Sequence, residues 1–328
     1  MNSVFYTHGS RGGTPRLVDI APVASAQDIE QTFAGCSHCI QLTAGLLSGF
    51  VSSIRLGAVT IYEYGVDRGI ELRFTEQPNS VAVGFLLEGD SVVERGHPWS
   101  RDQICVSPRA DIDLCAHGPS HIIWVRLNLE HARDAELASL APLTSEIFAD
   151  ASVFADVRAL IDRLIKGPRI SDAMFPRARL LYARSEIARS LVAALQNVAS
   201  TPRPEQRREQ RSLSLVRNVE AFMWDNVEEP LTLERICKEM HCGVRALIYA
   251  FKDIYGVGPM TYWKVRRLNA AHRKLRASGG NTAILEIAAD YGFWHMGHFS
   301  SDHKHMFGMT PSEAIEGGGS EQALQFTS

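Results

Sequence analysis

Histidines and cysteines are the residues of this chain whose types could bind a metal, and their spacing argues against such a site. Histidines stand at positions 295, 298, 303 and 305. Zinc needs a convergent tetrahedral ligand set, whereas helical spacing puts His298 on an outer face and His303 in a core position. Cys36 and Cys39 have the spacing of a ligand pair, but no second such pair completes a cysteine site. We expect no metal and no other cofactor.

The strand-rich N-terminal half offers little for catalysis. It contains His97, His117 and His121 without a paired His-x-His motif. A metal-dependent barrel enzyme would need clustered histidines and a carboxylate, so we expect no enzyme and favour a pocket for a small-molecule effector. Candidate lining residues are Tyr62, Tyr64, Arg73, Glu88, Arg95 and Trp99.

Two C-terminal segments suggest a different chemistry, hydrogen bonding to base edges and phosphates. In the first segment, Leu247, Ala250, Phe251 and Ile254 form an apolar stripe that a helix would bury. Residues on the opposite faces can reach the grooves of DNA, although each is equally well explained as a solvated surface residue. They are Arg245, Ala246, Ile248, Tyr249 and Lys252 in the first segment and His295, Met296, His298, Ser301 and Lys304 in the second.

An internal repeat positions these two faces. Residues 251–259 recur 52 positions later as residues 303–311, and each copy closes a helical pattern with an aromatic residue, a glycine and a proline. A shorter apolar-periodic segment precedes each copy, at 233–240 and at 283–291. The pattern predicts two helix-turn-helix units, with second helices over 245–255 and 294–307.

A linking helix is predicted between the units. Pro259 opens it, and an apolar stripe from Tyr262 to Leu275 faces the core. We place Lys264, Arg266, Arg267, Arg273 and Lys274 on its outer side, where a charge run is commonly just solvated. Thr232 is placed to cap the first helix of the first unit. The candidates for phosphate contact are Thr232, Lys264, Arg266 and Arg267.

The remainder of the chain predicts an α+β protein. Short alternating segments between 47 and 129 indicate an antiparallel β-barrel of the cupin or jelly-roll type, followed by helices over 131–198. We predict an N-terminal domain over 1–198, a linker over 199–212, an all-α domain over 213–316 and a flexible tail over 317–328. The clearest strand patterns lie at 59–64, 70–74, 81–86, 103–106, 112–116 and 121–127.

Composition sets limits on the class of protein. The chain has 328 residues, 45% hydrophobic and 22% charged, which is ordinary for globular domains. Residues 1–16 lack a signal-peptide pattern and no stretch has transmembrane length, so we expect a cytoplasmic protein with no membrane partner. The formal net charge is −3, and residues 213–315 carry twelve basic and eleven acidic residues. Binding to DNA would therefore depend on where the charges lie.

One series of residues makes a family resemblance specific. It consists of Gly292-Phe293, Phe299, Lys304, Phe307-Gly308 and Thr310-Pro311-Ser312. With this series, residues 231–314 resemble the DNA-binding domain of AraC/XylS-family transcriptional regulators. Within that family, residues 292–299 are most similar to the ethanolamine-utilisation regulators. The resemblance implies binding of double-stranded promoter DNA, transcriptional activation through contact with RNA polymerase, and an N-terminal domain that binds an effector or forms a homodimer.

The chain departs from the family pattern at three positions. Tyr249 and Ser301 stand where an arginine is common, and His303 stands where phenylalanine is usual. Sequence preference should differ accordingly, and we expect His303 to be a core residue. Two alternatives remain: a regulator with an enzyme-like N-terminal domain, and a protein-interaction module whose helix-turn-helix units no longer bind DNA.

Overall fold

The computed structural model of the chain describes residues 18–129, 147–166, 177–199, 207–278 and 283–317. We refer to residues 18–199 as the N-terminal region and to residues 207–317 as the helical region. The predicted tail falls outside the described residues except for Gly317, and so do positions 131–146 and 200–206.

Two antiparallel sheets make up most of the N-terminal region. The large sheet has seven strands in the order β1-β3-β4-β11-β6-β9-β12, and the small sheet has five in the order β2-β5-β10-β7-β8. The strands are β1 (Val18–Val23), β2 (Cys36–Gln41), β3 (Gly49–Leu56), β4 (Val59–Val66), β5 (Ile70–Phe74), β6 (Ser80–Glu88), β7 (Val92–Glu94), β8 (His97–Trp99), β9 (Gln103–Pro108), β10 (Asp113–Ala116), β11 (Ser120–Asn128) and β12 (Ile147–Asp150).

Helices complete both regions. In the N-terminal region they are α1 (Ala26–Thr32), a 3-10 helix (Ala151–Phe154), α2 (Ala155–Lys166) and α3 (Arg177–Ala199). In the helical region they are α4 (Arg207–Asp225), α5 (Leu233–Glu239), α6 (Val244–Tyr255), α7 (Pro259–Ala277), α8 (Ile284–Asp290) and α9 (Met296–Phe307), and residues 311–317 are also helical.

The alternation of side chains along each strand builds a layered structure. In β4 of the large sheet, Ile61 packs in a core with Ile161 of α2 and Leu191 of α3. Its neighbour Tyr62 points to the opposite face and packs in a second core with Leu72 of the small sheet. Successive residues therefore bind the large sheet to helices on one side and to the small sheet on the other.

The small sheet is an interior layer because both of its faces are covered. Leu114 of β10 packs toward the large sheet. The adjacent Cys115 packs in a third core with Val216 and Met223 of α4 and Ile254 of α6. The helical region thus rests on the face of the small sheet that the large sheet leaves uncovered.

The structure confirms some predictions about the N-terminal region and corrects others. All six strand patterns correspond to strands, β4, β5, β6, β9, β10 and β11, with antiparallel pairing. A closed barrel is not present in the described residues, because both sheets are open. Within the predicted helical stretch 131–198, residues 147–150 form β12 instead of a helix. The predicted linker is wrong at residues 207–212, which belong to α4.

Candidate nucleic-acid interface

Two helix-turn-helix units lie in the helical region, as the repeat predicts. The first consists of α5 and α6, and the second of α8 and α9. Thr232 caps α5 by accepting a hydrogen bond from the backbone N–H of Arg235, at 3.2 Å. We call α6 and α9, the second helix of each unit, the recognition helices.

The two recognition helices are structural copies of each other. Each has 12 residues and ends at a glycine with φ of 72°, Gly256 in one case and Gly308 in the other. Their buried faces occupy positions that are 52 residues apart. Leu247, Phe251, Ile254 and Tyr255 are buried in α6, and Phe299, His303, Met306 and Phe307 are buried in α9.

The faces opposite these buried positions are accessible. In α6, Tyr249 is 54% exposed and Ile248 is half-buried. In α9, Met296 is half-buried and packs against the core of the second unit. The other predicted DNA-contacting residues are exposed: Arg245, Ala246, Lys252, His295, His298, Ser301 and Lys304.

The four predicted phosphate contacts have different environments. Thr232 and Lys264 are exposed, and the Lys264 ammonium lies 2.6 Å from the Asp302 carboxylate. Arg266 is only 8% exposed. Its guanidinium donates to Nε2 of His38 at 2.6 Å and lies 3.5 Å from the Glu71 carboxylate. Our placement of Arg266 on the outer side of α7 is therefore wrong, because the residue faces the small sheet.

Arg267 is also held away from open solvent. Its guanidinium lies over the rings of Trp263 and Phe293, at 5.3 and 4.9 Å from their centroids. It also donates to the backbone carbonyls of Tyr291 and Gly292, each at 3.3 Å. Arg267 thus connects α7 to the turn of the second unit, a local packing role that its sequence position did not indicate.

A buried charge network joins the helical region to the small sheet. Arg73 of β5 donates to both carboxylate oxygens of Glu220 in α4, at 2.8 and 2.9 Å. The Tyr262 hydroxyl of α7 lies 2.8 Å from Glu71 and 2.5 Å from Glu220, and the Tyr255 hydroxyl donates to Glu220. Burial, and then the carboxylates of Glu71 and Glu220, raise the pKa of both tyrosines well above its usual value. Both hydroxyls therefore stay protonated and act as donors.

The C-terminal ends of both recognition helices dock on the N-terminal region. The carbonyl of Ile254 in α6 accepts a hydrogen bond from Nε2 of His117, at 2.8 Å. The carbonyl of Met306, at the equivalent position of α9, accepts from the Gln41 side chain at 2.9 Å and from the Gly45 N–H at 3.0 Å. Carbonyls in the last turn of a helix lack intrahelical donors. The N-terminal region supplies the donors for these two carbonyls.

The core of the second unit contains a pair of histidines. His303 is fully buried, as we expected. Its Nδ1 donates to the Met309 carbonyl at 2.8 Å, and its Nε2 lies 3.1 Å from Nδ1 of His272 in α7. Burial, and then the neighbouring His303 and Arg276, lower the pKa of His272 to about 3. Burial also lowers the pKa of His303. The pair is therefore neutral at physiological pH.

Trp294 is a candidate contact residue that the sequence did not reveal. We predicted a helix from position 294, but α9 begins at Met296, and Trp294 lies in the preceding turn with 66% of its surface exposed. Its only sequence signal was an aromatic residue outside the apolar stripe. The nearby rings of His295 and His298 are 5.8 Å apart. Among the described residues no three histidine, cysteine or acidic side chains are grouped so that they could hold a metal ion.

Comparisons with known proteins concern this same region. A sequence model described as a helix-turn-helix domain matches residues 236–316. The chain is 32% identical over 102 residues to the "Probable thc operon regulatory protein" of Rhodococcus erythropolis, covering 31% of each chain. It is 31% identical over 95 residues to XylDLEGF operon transcriptional activator 3 of Pseudomonas putida, covering 29% of each chain. The chain therefore spans about a third of the length of these curated relatives.

A solved structure gives a similar comparison. The chain is 29% identical to a transcriptional regulator with an AraC-type DNA-binding domain from Chromobacterium violaceum, over 33% of this chain and 95% of that one, with a TM-score of 0.30. No helix of the described residues is long and apolar enough to cross a membrane. Taken with the paired units described above, the sequence match identifies residues 236–316 as a helix-turn-helix domain.

Proposed function

We propose that this chain is a transcription regulator that binds double-stranded promoter DNA through both helix-turn-helix units. The observation that carries the proposal is the pair of recognition helices, which bury equivalent positions and leave opposite faces accessible. Repeated recognition helices are the geometry by which such proteins read successive major grooves. The contact residues proposed are those predicted from the sequence, except Arg266 and Arg267, whose guanidinium groups are engaged within the protein.

We further propose activation as the mode of regulation, with RNA polymerase as a partner. The Pseudomonas putida relative is a transcriptional activator. The N-terminal region is proposed to bind a small-molecule effector, to form a homodimer, or to do both, and the protein is proposed to act in the cytoplasm. The resemblance of residues 292–299 to ethanolamine-utilisation regulators concerns the turn and the start of α9, so it gives no indication of the effector.

The DNA-binding unit is proposed to start earlier than position 213. Val216, Val219 and Met223 of α4 are fully buried in the core of the first unit, together with Leu247 and Phe251 of α6. Because α4 begins at Arg207, a fragment starting at 213 would remove the first turns of a helix that the core needs. We propose residues 207–317 as the unit.

Selection from random DNA by the full chain tests the proposal. At about 0.15 M salt, where the Debye length is about 8 Å, the protein should enrich one bipartite site with two unlike halves spaced by about one helical turn. A variant with both Arg245→Ala and Lys304→Ala should bind the enriched site more weakly, and Arg189→Ala on α3 serves as the matched control. Failure to enrich any sequence would favour the protein-interaction alternative.

A further inference from the structure

The accessible side of α6 carries apolar side chains beside its basic ones. Val244 and Ile248 stand one turn apart, and Arg245 and Tyr249 form a second row next to them. Val244 is 43% exposed, Tyr249 is 54% exposed and Ile248 is half-buried. Val244 was not among the predicted contacts, because the helix was predicted to begin at Arg245. We call these four residues together with Lys252 the reading face of α6.

Packing within the protein does not explain the apolar part of this face. Val244 is exposed, and Ile248 is not among the described side chains that pack against the core of the first unit. In α9 the position equivalent to Val244 is Met296, which is half-buried and does pack against the core of the second unit. Apolar side chains that cluster on an accessible face mark an interaction site more often than isolated ones do.

The charges around these side chains favour DNA over a protein as the partner. Arg245 lies near the start of the reading face and Lys252 at its end. Both are exposed, and neither forms an ion pair with another described residue. An apolar surface flanked by two such cations suits the major groove, where base edges lie between two strands of phosphates.

The position of the reading face along α6 favours contact with bases. The N-terminal residues of a recognition helix are those that reach base edges. Val244, Arg245, Ile248 and Tyr249 all lie in the first two turns of α6. Among the base edges in the major groove, thymine presents an apolar group, its 5-methyl, and guanine presents two acceptors that suit an arginine.

We propose that the reading face of α6 recognises thymine methyl groups next to a guanine that Arg245 binds. Val244, Ile248 and Tyr249 supply the apolar contacts to the methyl groups. The inference rests on the proposed function, because it names the bases that one of the two units reads.

The equivalent face of α9 is built for a different half-site. Ser300 and Ser301 stand at the positions equivalent to Ile248 and Tyr249. A serine hydroxyl can hydrogen-bond to any base edge, but it offers no apolar surface to cover a methyl group. Sensitivity to thymine methyl groups should therefore be concentrated in the half of the DNA site that α6 reads.

Replacement of thymine by uracil in the selected DNA site tests the inference, because uracil lacks only the 5-methyl group. The half read by α6 is the half whose base preference relaxes with Arg245→Ala. We expect the loss of each contacted methyl group there to weaken binding by the full chain about fourfold, the equivalent of about 0.8 kcal/mol for one buried carbon group. Uracil in the other half should have a smaller effect.

Variants assign the methyl effect to α6. A double variant with Val244→Ser and Tyr249→Ser should bind the thymine site and the uracil site with equal affinity. Both side chains are exposed, so the double substitution should leave the fold intact. Leu285→Ser is the matched control. Leu285 is 58% exposed on α8, outside the recognition helices, so this variant should keep the full methyl effect.

The possible outcomes separate the inference from the proposed function. If the chain enriches a DNA site but uracil in the half read by α6 leaves the affinity unchanged, the inference is overturned and the proposed function stands. The inference is also overturned if the double variant remains as sensitive to the methyl groups as the unmodified chain. If no DNA sequence is enriched, both fail, and the partner of this apolar face would be a protein.

Discussion

Arg73 of β5 and Glu220 of α4 form a two-bond ion pair across the boundary between the N-terminal region and the helical region, with N–O distances of 2.8 and 2.9 Å. Glu220 is 6% exposed, and it also accepts from Tyr255, Tyr262 and Arg217. The Glu220 carboxylate of α4 thus makes direct contacts with α6, α7 and β5. The two regions are held together by a site that is both buried and charged.

Removing the negative charge of Glu220 should destabilise the folded chain. Glu220→Gln leaves Arg73 with fewer anionic partners in a buried site, so we expect a loss of about 3 to 5 kcal/mol in the free energy of unfolding. Urea denaturation followed by tryptophan fluorescence measures it. Glu76→Gln is the control, since Glu76 forms a largely exposed pair with Arg109, and such pairs contribute about 0 to 1 kcal/mol. Similar small losses in both variants would contradict the structural role of Glu220.

Stability should fall as the pH drops below about 6.5. The pKa of His272 is lowered by burial to about 3, that of His303 is lowered by burial, and that of His38 is lowered to about 2 by burial and the nearby arginines. Below the unfolded pKa of about 6.5, the unfolded chain binds protons that the folded chain does not. The free energy of unfolding is therefore highest above that pH, and it falls progressively as the pH drops toward the folded-state pKa values of these histidines.

The histidine pair can be isolated by substitution. A double variant with His272→Leu and His303→Phe should show a smaller decrease in Tm between pH 7.5 and 5.5 than the unmodified chain, because each neutral buried histidine contributes up to about 1.4 kcal/mol per pH unit. The pH dependence that remains in this variant is expected from His38. An unchanged slope would mean that the pair is solvated in the folded state.

Two lysines at equivalent positions should contact phosphates. Lys252 of α6 and Lys304 of α9 are both exposed and 52 residues apart. Each substitution to Ala should weaken binding to all sequences alike and reduce the slope of log affinity against log salt by about 1. Fluorescence anisotropy over a salt series measures that slope, and Arg189→Ala on α3 should leave it unchanged. A lysine variant with the full slope would exclude that side chain from the phosphate contacts.

The two halves of the DNA site should respond differently to Arg245. The equivalent position in α9 is Gly297, which has no side chain to reach a base. Arg245→Ala should therefore relax base preference in one half of the selected site, at a cost of about 1 to 3 kcal/mol, and leave the other half unaffected. Repeating the DNA selection with this variant shows the change. Loss of preference in both halves would mean that the two units do not read separate sequences.

The glycines that end the recognition helices should resist substitution. Gly256 and Gly308 both have a φ of 72°, and a Cβ at Gly256 would lie 3.0 Å from the ring of His117. Substitution of either by alanine should cost at least about 1 to 2 kcal/mol. Gly297→Ala, where nothing lies within 4 Å, should instead stabilise α9 by about 0.5 to 1 kcal/mol. Thermal denaturation measures whether each substitution lowers or raises the stability.

Local patterns in the sequence predicted most of the helical region. Capping by Thr232 and the closing glycines follow from short-range backbone chemistry, and the apolar stripes of α6 and α9 follow from helical periodicity. For that reason the bounds of α5, α6 and α9 are within two residues of those predicted. The stripe also placed His303 correctly in the core.

Contacts between the two regions could not be predicted in the same way. Arg266 was assigned to the outer side of α7 because a run of charged residues is usually solvated, yet its partners His38 and Glu71 lie far away in the sequence, on the small sheet. The predicted closed barrel was wrong for a similar reason. Alternation of apolar and polar residues predicts individual strands, whereas closure of a barrel depends on which edge strands pair with each other. Of the suggested pocket residues, Arg73 and Arg95 lie beside a cavity between α4 and the small sheet, while Tyr62, Tyr64 and Trp99 are buried between the two sheets.

The hydrogen bonds to the Ile254 and Met306 carbonyls limit how the helical region could be fused to another protein. His117, Gln41 and Gly45 serve the two helix ends, so a chimera that joins residues 207–317 to an unrelated sensor would leave both carbonyls without these donors. Keeping these contacts in a chimera therefore takes more than the continuous segment 207–317. A graft that also carries the end of β2 with the loop after it, and the turn before β11, should preserve the relative placement of α6 and α9.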